Sequence, residues 1–139
     1  MDDYKRAYED VNLDVIKNNV DIIMKRTKPG TKALIVVKAD AYGHGDVPVA
    51  RALESRADYF AVATGPEAIN LRENGITKPI LILGFVAYEE YEDLINNDVD
   101  LVIFDKESAD ALSEAAKKIG KTAKCHVKVD TGMRRIGVE

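Results

Sequence analysis

The sequence has no tryptophan, one cysteine, four prolines and only 6% aromatic residues in 139 positions. Each shortage excludes something. A lone Cys125 cannot close an internal disulfide, so the chain is no disulfide scaffold, and a reducing cytoplasm fits it. Four prolines and nine glycines are too few for collagen or a low-complexity linker. The longest apolar run, Pro79 to Ala87, is far below the roughly 20 residues that a bilayer span needs. Charge, not an apolar run, follows Met1, which argues against a secretory leader. An excess of positive charge is also missing. The formal net charge is −4, so nucleic acid and anionic membrane surfaces are not expected partners. No Cys or His cluster has metal-ligand spacing. Gly43-His44-Gly45 lacks the third glycine and the Lys-Ser/Thr ending of a phosphate loop.

What remains is ordinary globular composition, 46% apolar and 32% charged, at a length that suits one domain. Apolar runs recur at Ala33–Val37, Tyr59–Ala63, Ile80–Leu83, Leu101–Phe104 and Ala123–Val129. Their starts lie roughly 21 to 26 residues apart. They are short, aliphatic and bounded by Gly, Pro or charge, as strands buried on both faces of a parallel sheet are. Helical segments fill the gaps. Leu13, Ile16, Val20 and Ile23 make a stripe on one face of the first helix, with Asn12 or Asp14 as its cap. A second helix opens at Asp46 and tolerates Pro48 in its first turn. A third opens at Gly65-Pro66-Glu67 and stops at Gly75. A fourth covers roughly 87–96. A fifth follows Asp105 and ends at Gly120, with Lys117 and Lys118 complementing its dipole.

The class is therefore α/β with right-handed crossovers, either an open doubly wound sheet or part of a (β/α)8 barrel. Alternation in the last strand favours the barrel. Cys125, Val127 and Val129 point one way, and Lys124, His126, Lys128 and Asp130 the other. A barrel whose interior holds polar chemistry accommodates that pattern; an exposed edge strand is the alternative. On this reading Cys125 is an inert core thiol, and His126 and His44 are structural.

The first strand runs into Lys38, which shares its parity with Leu34 and Val36. If that side is the barrel interior, Lys38 stands at the C-terminal end of its strand, where barrel enzymes place their chemistry. A lysine there can form a Schiff base or act as a base. The alternative is a solvated lysine at a strand end. Tyr42 opens a glycine-flanked turn in which Gly43 and Gly45 let the backbone pass close to a ligand.

These residues resemble a known family. Val37-Lys-Ala-Asp-Ala-Tyr-Gly-His-Gly45 resembles the pyridoxal phosphate attachment motif of alanine racemases. Val129-Asp-Thr-Gly-Met-Arg-Arg-Ile-Gly137 resembles their second signature, and Asn12-Leu-Asp-Val-Ile-Lys-Asn-Asn-Val20 their opening helix. The similarity covers nearly the whole chain. The resemblance implies a racemase that interconverts L-alanine and D-alanine, using pyridoxal 5'-phosphate and two bases, and supplying D-alanine for peptidoglycan. It implies that Lys38 holds the cofactor and exchanges the α-proton on the D face. It further implies that Tyr42 donates to the cofactor phosphate, and that Arg135 contacts the phenolic oxygen and the substrate carboxylate. Lys128 matches a lysine that is carbamylated in several members, where the anion would hold Arg135; a plain ion pair with Asp130 or a neighbour is the alternative. The position of Arg134 is more often glycine in the family, so this arginine either shifts the backbone or points outward.

The same resemblance places residues 1–12 against a C-terminal β domain, and residues 13–139 in the N-terminal part of a (β/α)8 barrel with about five parallel strands. Family members are much longer cytoplasmic homodimers whose second base, a tyrosine, comes from the partner. The expected protein is thus an N-terminal portion, inactive by itself. Two other readings stand beside it: a module that carries pyridoxal phosphate, and a non-catalytic half-barrel that pairs with itself. Serine or a broader amino-acid set are alternative substrates.

Overall fold

A computed structural model describes residues 8–138. Residues 1–7, most of the segment expected to meet a β domain, lie outside the described residues. Asn12 caps helix α1 (Leu13–Met24): its Oδ1 accepts from the N–H groups of Asp14 and Val15 at 3.0 and 3.1 Å. That side chain satisfies two of the donors that the first helical turn leaves free.

The five apolar runs form five strands: β1 (Leu34–Val36), β2 (Tyr59–Val62), β3 (Ile80–Ile82), β4 (Val99–Ile103) and β5 (Cys125–Val127). They pair in parallel and in chain order, β1-β2-β3-β4-β5. Phe60 stands beside Ile35 and Ile80, and Ile80 beside Val99; Ala61 stands beside Val36 and Leu81. A doubly wound sheet reverses direction at a switch point. This one does not, so the sheet is part of a (β/α)8 barrel wall. The crossovers carry α3 (Asp46–Leu53), α4 (Gly65–Glu73), α5 (Tyr91–Asn96) and α6 (Lys106–Lys118). A further helical turn, α2 (Lys38–Gly43), follows β1.

Alternation sorts the strand residues onto two faces. Phe60, Val62, Ile80, Ile82 and Leu101 meet Leu53, Leu71, Leu94 and Leu112 from the helix layer, and this is the main core. Fully burying such side chains is worth about 1.5–3 kcal/mol each. The opposite face, a barrel's interior, carries a smaller cluster of Ala61, Leu81 and Val102, flanked by Tyr59, Leu83 and Phe104.

Arg72 ties the loops at the N-terminal ends of the strands. Its guanidinium donates to the carbonyls of Ile76, Lys78, Asn97 and Asp98 at 2.8 to 3.0 Å. Burial lowers its proton affinity, with Asp98 and Asp100 opposing that effect.

Three expectations change. The α1 stripe packs through Leu13, Ile16 and Val20, whereas Ile23 is 61% exposed, because α1 leaves the core before its last turn. The fourth helix is a 3-10 turn at Tyr88–Glu90 followed by α5. Cys125 does face the helix side, but it is exposed, not a core thiol. It rims an open cleft with Ile103, Leu112, Ala116 and Lys121. The reason is that β5 pairs only with β4, so nothing described covers its far side.

Candidate active site

The site lies at the C-terminal ends of the strands. β1 runs into Val37, which is buried and donates to the carbonyl of Ala61 at 2.9 Å. Beyond it the backbone winds the unusual way. Ala39, Asp40, Ala41 and Tyr42 all have φ between 49° and 55° and ψ between 38° and 50°. Each left-handed non-glycine residue costs roughly 1–2 kcal/mol, so the turn persists only because its surroundings hold it. They do so at both ends. Ala41 N–H donates to the Val37 carbonyl, and Gly45 N–H to the Asp40 carbonyl, both at 3.0 Å. Asp40 Oδ1 accepts from Asp46 N–H at 2.9 Å. Glu67 Oε1 accepts from Ala39 N–H at 2.9 Å.

The loop after β5 is closed by a bridge between Val129 and Val138. Asp130 N–H donates to Val138, and Val138 N–H to Lys128, at 2.8 and 2.9 Å. Gly137 is fixed in kind, since a Cβ there would meet Asp130 N at 2.5 Å. The backbone amides of Arg134 and Gly132 hold the Asp130 carboxyl below its ordinary value. Arg134 itself has φ 53°, a conformation that favours glycine.

These two loops meet. Lys38 and Arg135 line one cleft of about 330 Å3, with Ala63, Leu83, Gly84, Phe85 and Ile136 as its walls. Gly84 has to be small, because a Cβ there would sit 2.5 Å from the Ala63 carbonyl oxygen. A primary amine and a guanidinium between apolar walls suit a flat, anionic, carbonyl-bearing ligand, so the donor set fits pyridoxal phosphate. Lys128 lies beside the cleft and donates to the Leu83 carbonyl at 3.2 Å. Among the described residues it makes that bond and no ion pair with Asp130. Tyr42 is 70% exposed and stands outside the cleft walls. His44 is in the turn, its Nε2 3.9 Å from Glu9 Oε1.

His126 faces the interior at the other end of the strands, edge-on to Tyr59 and 3.4 Å from Asp100 Oδ2. It is not brought to the Lys38 cleft. One residue at the site went unread in the sequence. Glu67 accepts from Ala63 and Thr64 as well as from Ala39. The spacing Thr64-x-x-Glu67 is the signature of a helix capping box and would have singled it out.

A lysine and an arginine at the mouth of a sequentially wound parallel sheet define the class: part of a (β/α) barrel, with its candidate site at the C-terminal face. The chain belongs to the alanine racemase family. The family model described as "Alanine racemase, N-terminal domain" matches residues 11–139. Alanine racemase of Methanococcus maripaludis is 45% identical over 131 residues, covering 94% of this chain and 35% of that protein. Among solved structures, alanine racemase of Clostridium difficile 630 superposes with a TM-score of 0.85 at 45% identity, covering 92% of this chain and 33% of that one. Alanine racemase of Bacillus anthracis, solved with bound L-Ala-P, gives 0.84 at 42% identity, covering 97% and 36%. The chain spans about a third of the length of the relatives it matches.

Proposed function

We propose that this chain forms the lysine-bearing part of an alanine racemase, a pyridoxal phosphate-dependent isomerase that interconverts L-alanine and D-alanine. The observation that carries the reading is the convergence of Lys38 and Arg135 on one cleft. They lie 97 positions apart in the sequence and belong to the two motifs that resemble the family. The bound L-Ala-P of the Bacillus anthracis relative supports a small amino acid as the substrate.

Each residue then has a task. Lys38 would hold the cofactor through its amine and would exchange the α-proton on the D face. The cofactor supplies an electron sink for the substrate's α-carbon. Arg135 presents a planar fork to the substrate carboxylate and the cofactor's phenolic oxygen. Tyr42 would donate its hydroxyl to the cofactor phosphate. Lys128, if carbamylated, offers an anion to orient Arg135.

The second base comes from outside these residues, so the chain alone is inactive. In the whole protein, residues 1–12 pack against a β domain, and two subunits in the cytoplasm complete each other's sites. No helix among the described residues is long and apolar enough to cross a membrane.

The test is to add pyridoxal phosphate to the chain and follow the visible absorbance gained on covalent attachment. Borohydride reduction and peptide mass mapping should place the adduct on Lys38, and Lys38→Ala should lose both signals. An adduct at any other lysine would remove the assignment. Racemisation of L-alanine by the isolated chain with cofactor would contradict its predicted inactivity.

A further inference from the structure

Glu67 joins the mouth of one strand to the mouth of the next. One carboxylate oxygen, Oε1, accepts from Ala39 N–H at 2.9 Å, the residue directly after Lys38. The other, Oε2, accepts from Ala63 N–H at 2.7 Å and from Thr64 N–H at 3.2 Å, where β2 gives way to α4. Both oxygens are therefore committed, each to a different segment. Ala39 is also the first of the four left-handed residues. At that point β1 leaves the sheet, and Glu67 takes up the backbone donor that departure frees. Ala39 is an exposed residue, so water is the competing partner of its N–H, and the charge-assisted bond to the carboxylate favours this course of the chain over its alternatives.

We infer that Glu67 is the positioning residue for Lys38: by holding Ala39 N–H it fixes where the lysine side chain leaves the backbone. It does not line the Lys38–Arg135 cleft and acts through Lys38. The inference rests on Lys38 being the cofactor anchor.

The carboxylate has two tasks, and glutamine separates them. Glutamine completes a capping box as well as glutamate does, but it has one acceptor oxygen. With that oxygen on Ala63 and Thr64, its amide N–H2 faces Ala39 N–H, donor against donor. A merely structural Glu67 is therefore rescued by glutamine, whereas a positioning Glu67 is not.

The experiment compares the wild-type chain with Glu67→Gln by two readouts. Amide hydrogen exchange at Ala39, Ala63 and Thr64 needs no cofactor. The pyridoxal phosphate concentration for half-maximal visible absorbance reports covalent attachment. In Glu67→Gln, Ala39 should exchange roughly tenfold faster, the equivalent of about one hydrogen bond. Ala63 and Thr64 should keep their rates, the melting midpoint should stay near wild type, and half-saturation should rise roughly tenfold. A wild-type exchange rate at Ala39 overturns the inference. So does unchanged cofactor attachment with Ala39 freed. If the wild-type chain gains no absorbance, the anchor role of Lys38 fails separately, and Ala39 exchange still decides whether Glu67 holds this turn. Glu67→Ala should free all three amides and weaken attachment further; should it not fold, the glutamine variant carries the decision.

Discussion

Tyr59 donates its hydroxyl to Asp100 Oδ2 at 3.0 Å, across two strands and 41 positions of sequence. Asp100 is 2% exposed, and its Oδ1 has no partner among the described residues. The phenol is thus one of two groups, with His126, that compensate a buried carboxylate on the interior face. Tyr59→Phe should destabilise the fold by about 1–3 kcal/mol, the loss of a hydrogen bond to a charged group, with His126 left as that oxygen's remaining partner. Pairing it with Asp100→Leu should restore much of that loss, because an apolar pair needs no partner. Urea denaturation of the single and double variants measures both, and an unchanged midpoint in Tyr59→Phe would deny the bond any net role.

Arg134 occupies left-handed backbone at φ 53°. Arg134→Gly should stabilise the chain by up to about 1 kcal/mol, since glycine adopts this region without the Cβ penalty. Arg134→Ala should bring no such gain, because alanine keeps the Cβ. Denaturant midpoints of the two variants, taken side by side, distinguish relief of backbone strain from loss of a surface charge.

Arg72 serves four carbonyls with one planar fork. Lysine keeps the charge but cannot reproduce the geometry. Arg72→Lys should cost about 2–3 kcal/mol, as several charge-assisted hydrogen bonds are lost together. Thermal melts should show it, and hydrogen exchange should rise first in the loops before β3 and β4.

Alkaline stability follows from the tyrosines. Burial pushes the Tyr91 phenol up to about 12 from 10.0, helped by Tyr88 and Asp105. The Asp100 hydrogen bond raises that of Tyr59. A raised phenol holds its proton more tightly in the folded chain than in the unfolded one. Its contribution is full below about pH 10 and is lost as pH rises toward about 12. Unfolding midpoints should therefore fall across that window, and Tyr91→Phe should flatten the fall. Circular dichroism at a series of pH values checks it; a parallel slope in the variant would refute the assignment.

Local pattern made the scaffold legible. The run Ile80-Leu-Ile-Leu83 is a strand because its aliphatic residues are bounded by Pro79 and Gly84, and α4 ends near Gly75 as its punctuation indicates. Long-range features were hidden. Nothing in Ala39-Asp-Ala-Tyr42 asks for left-handed backbone; an acceptor on Glu67, 28 residues away, helps impose it. Alternation gave Cys125 its side of β5 but not its exposure, because burial depends on what lies across the cleft. The motifs named Lys38 and Arg135 separately, and the sheet order brings them to one cleft.

That order has a consequence for biogenesis. Each strand pairs in register with the one translated immediately before it, never with one still inside the ribosome. The wall can therefore be laid down as the chain emerges, with modest loop closure at every addition. The price is a growing edge that stays unpaired until the next unit arrives, so β5 is where a nascent chain is most open to wrong partners. Its exposed Val127 and Val129 mark that interval on the surface.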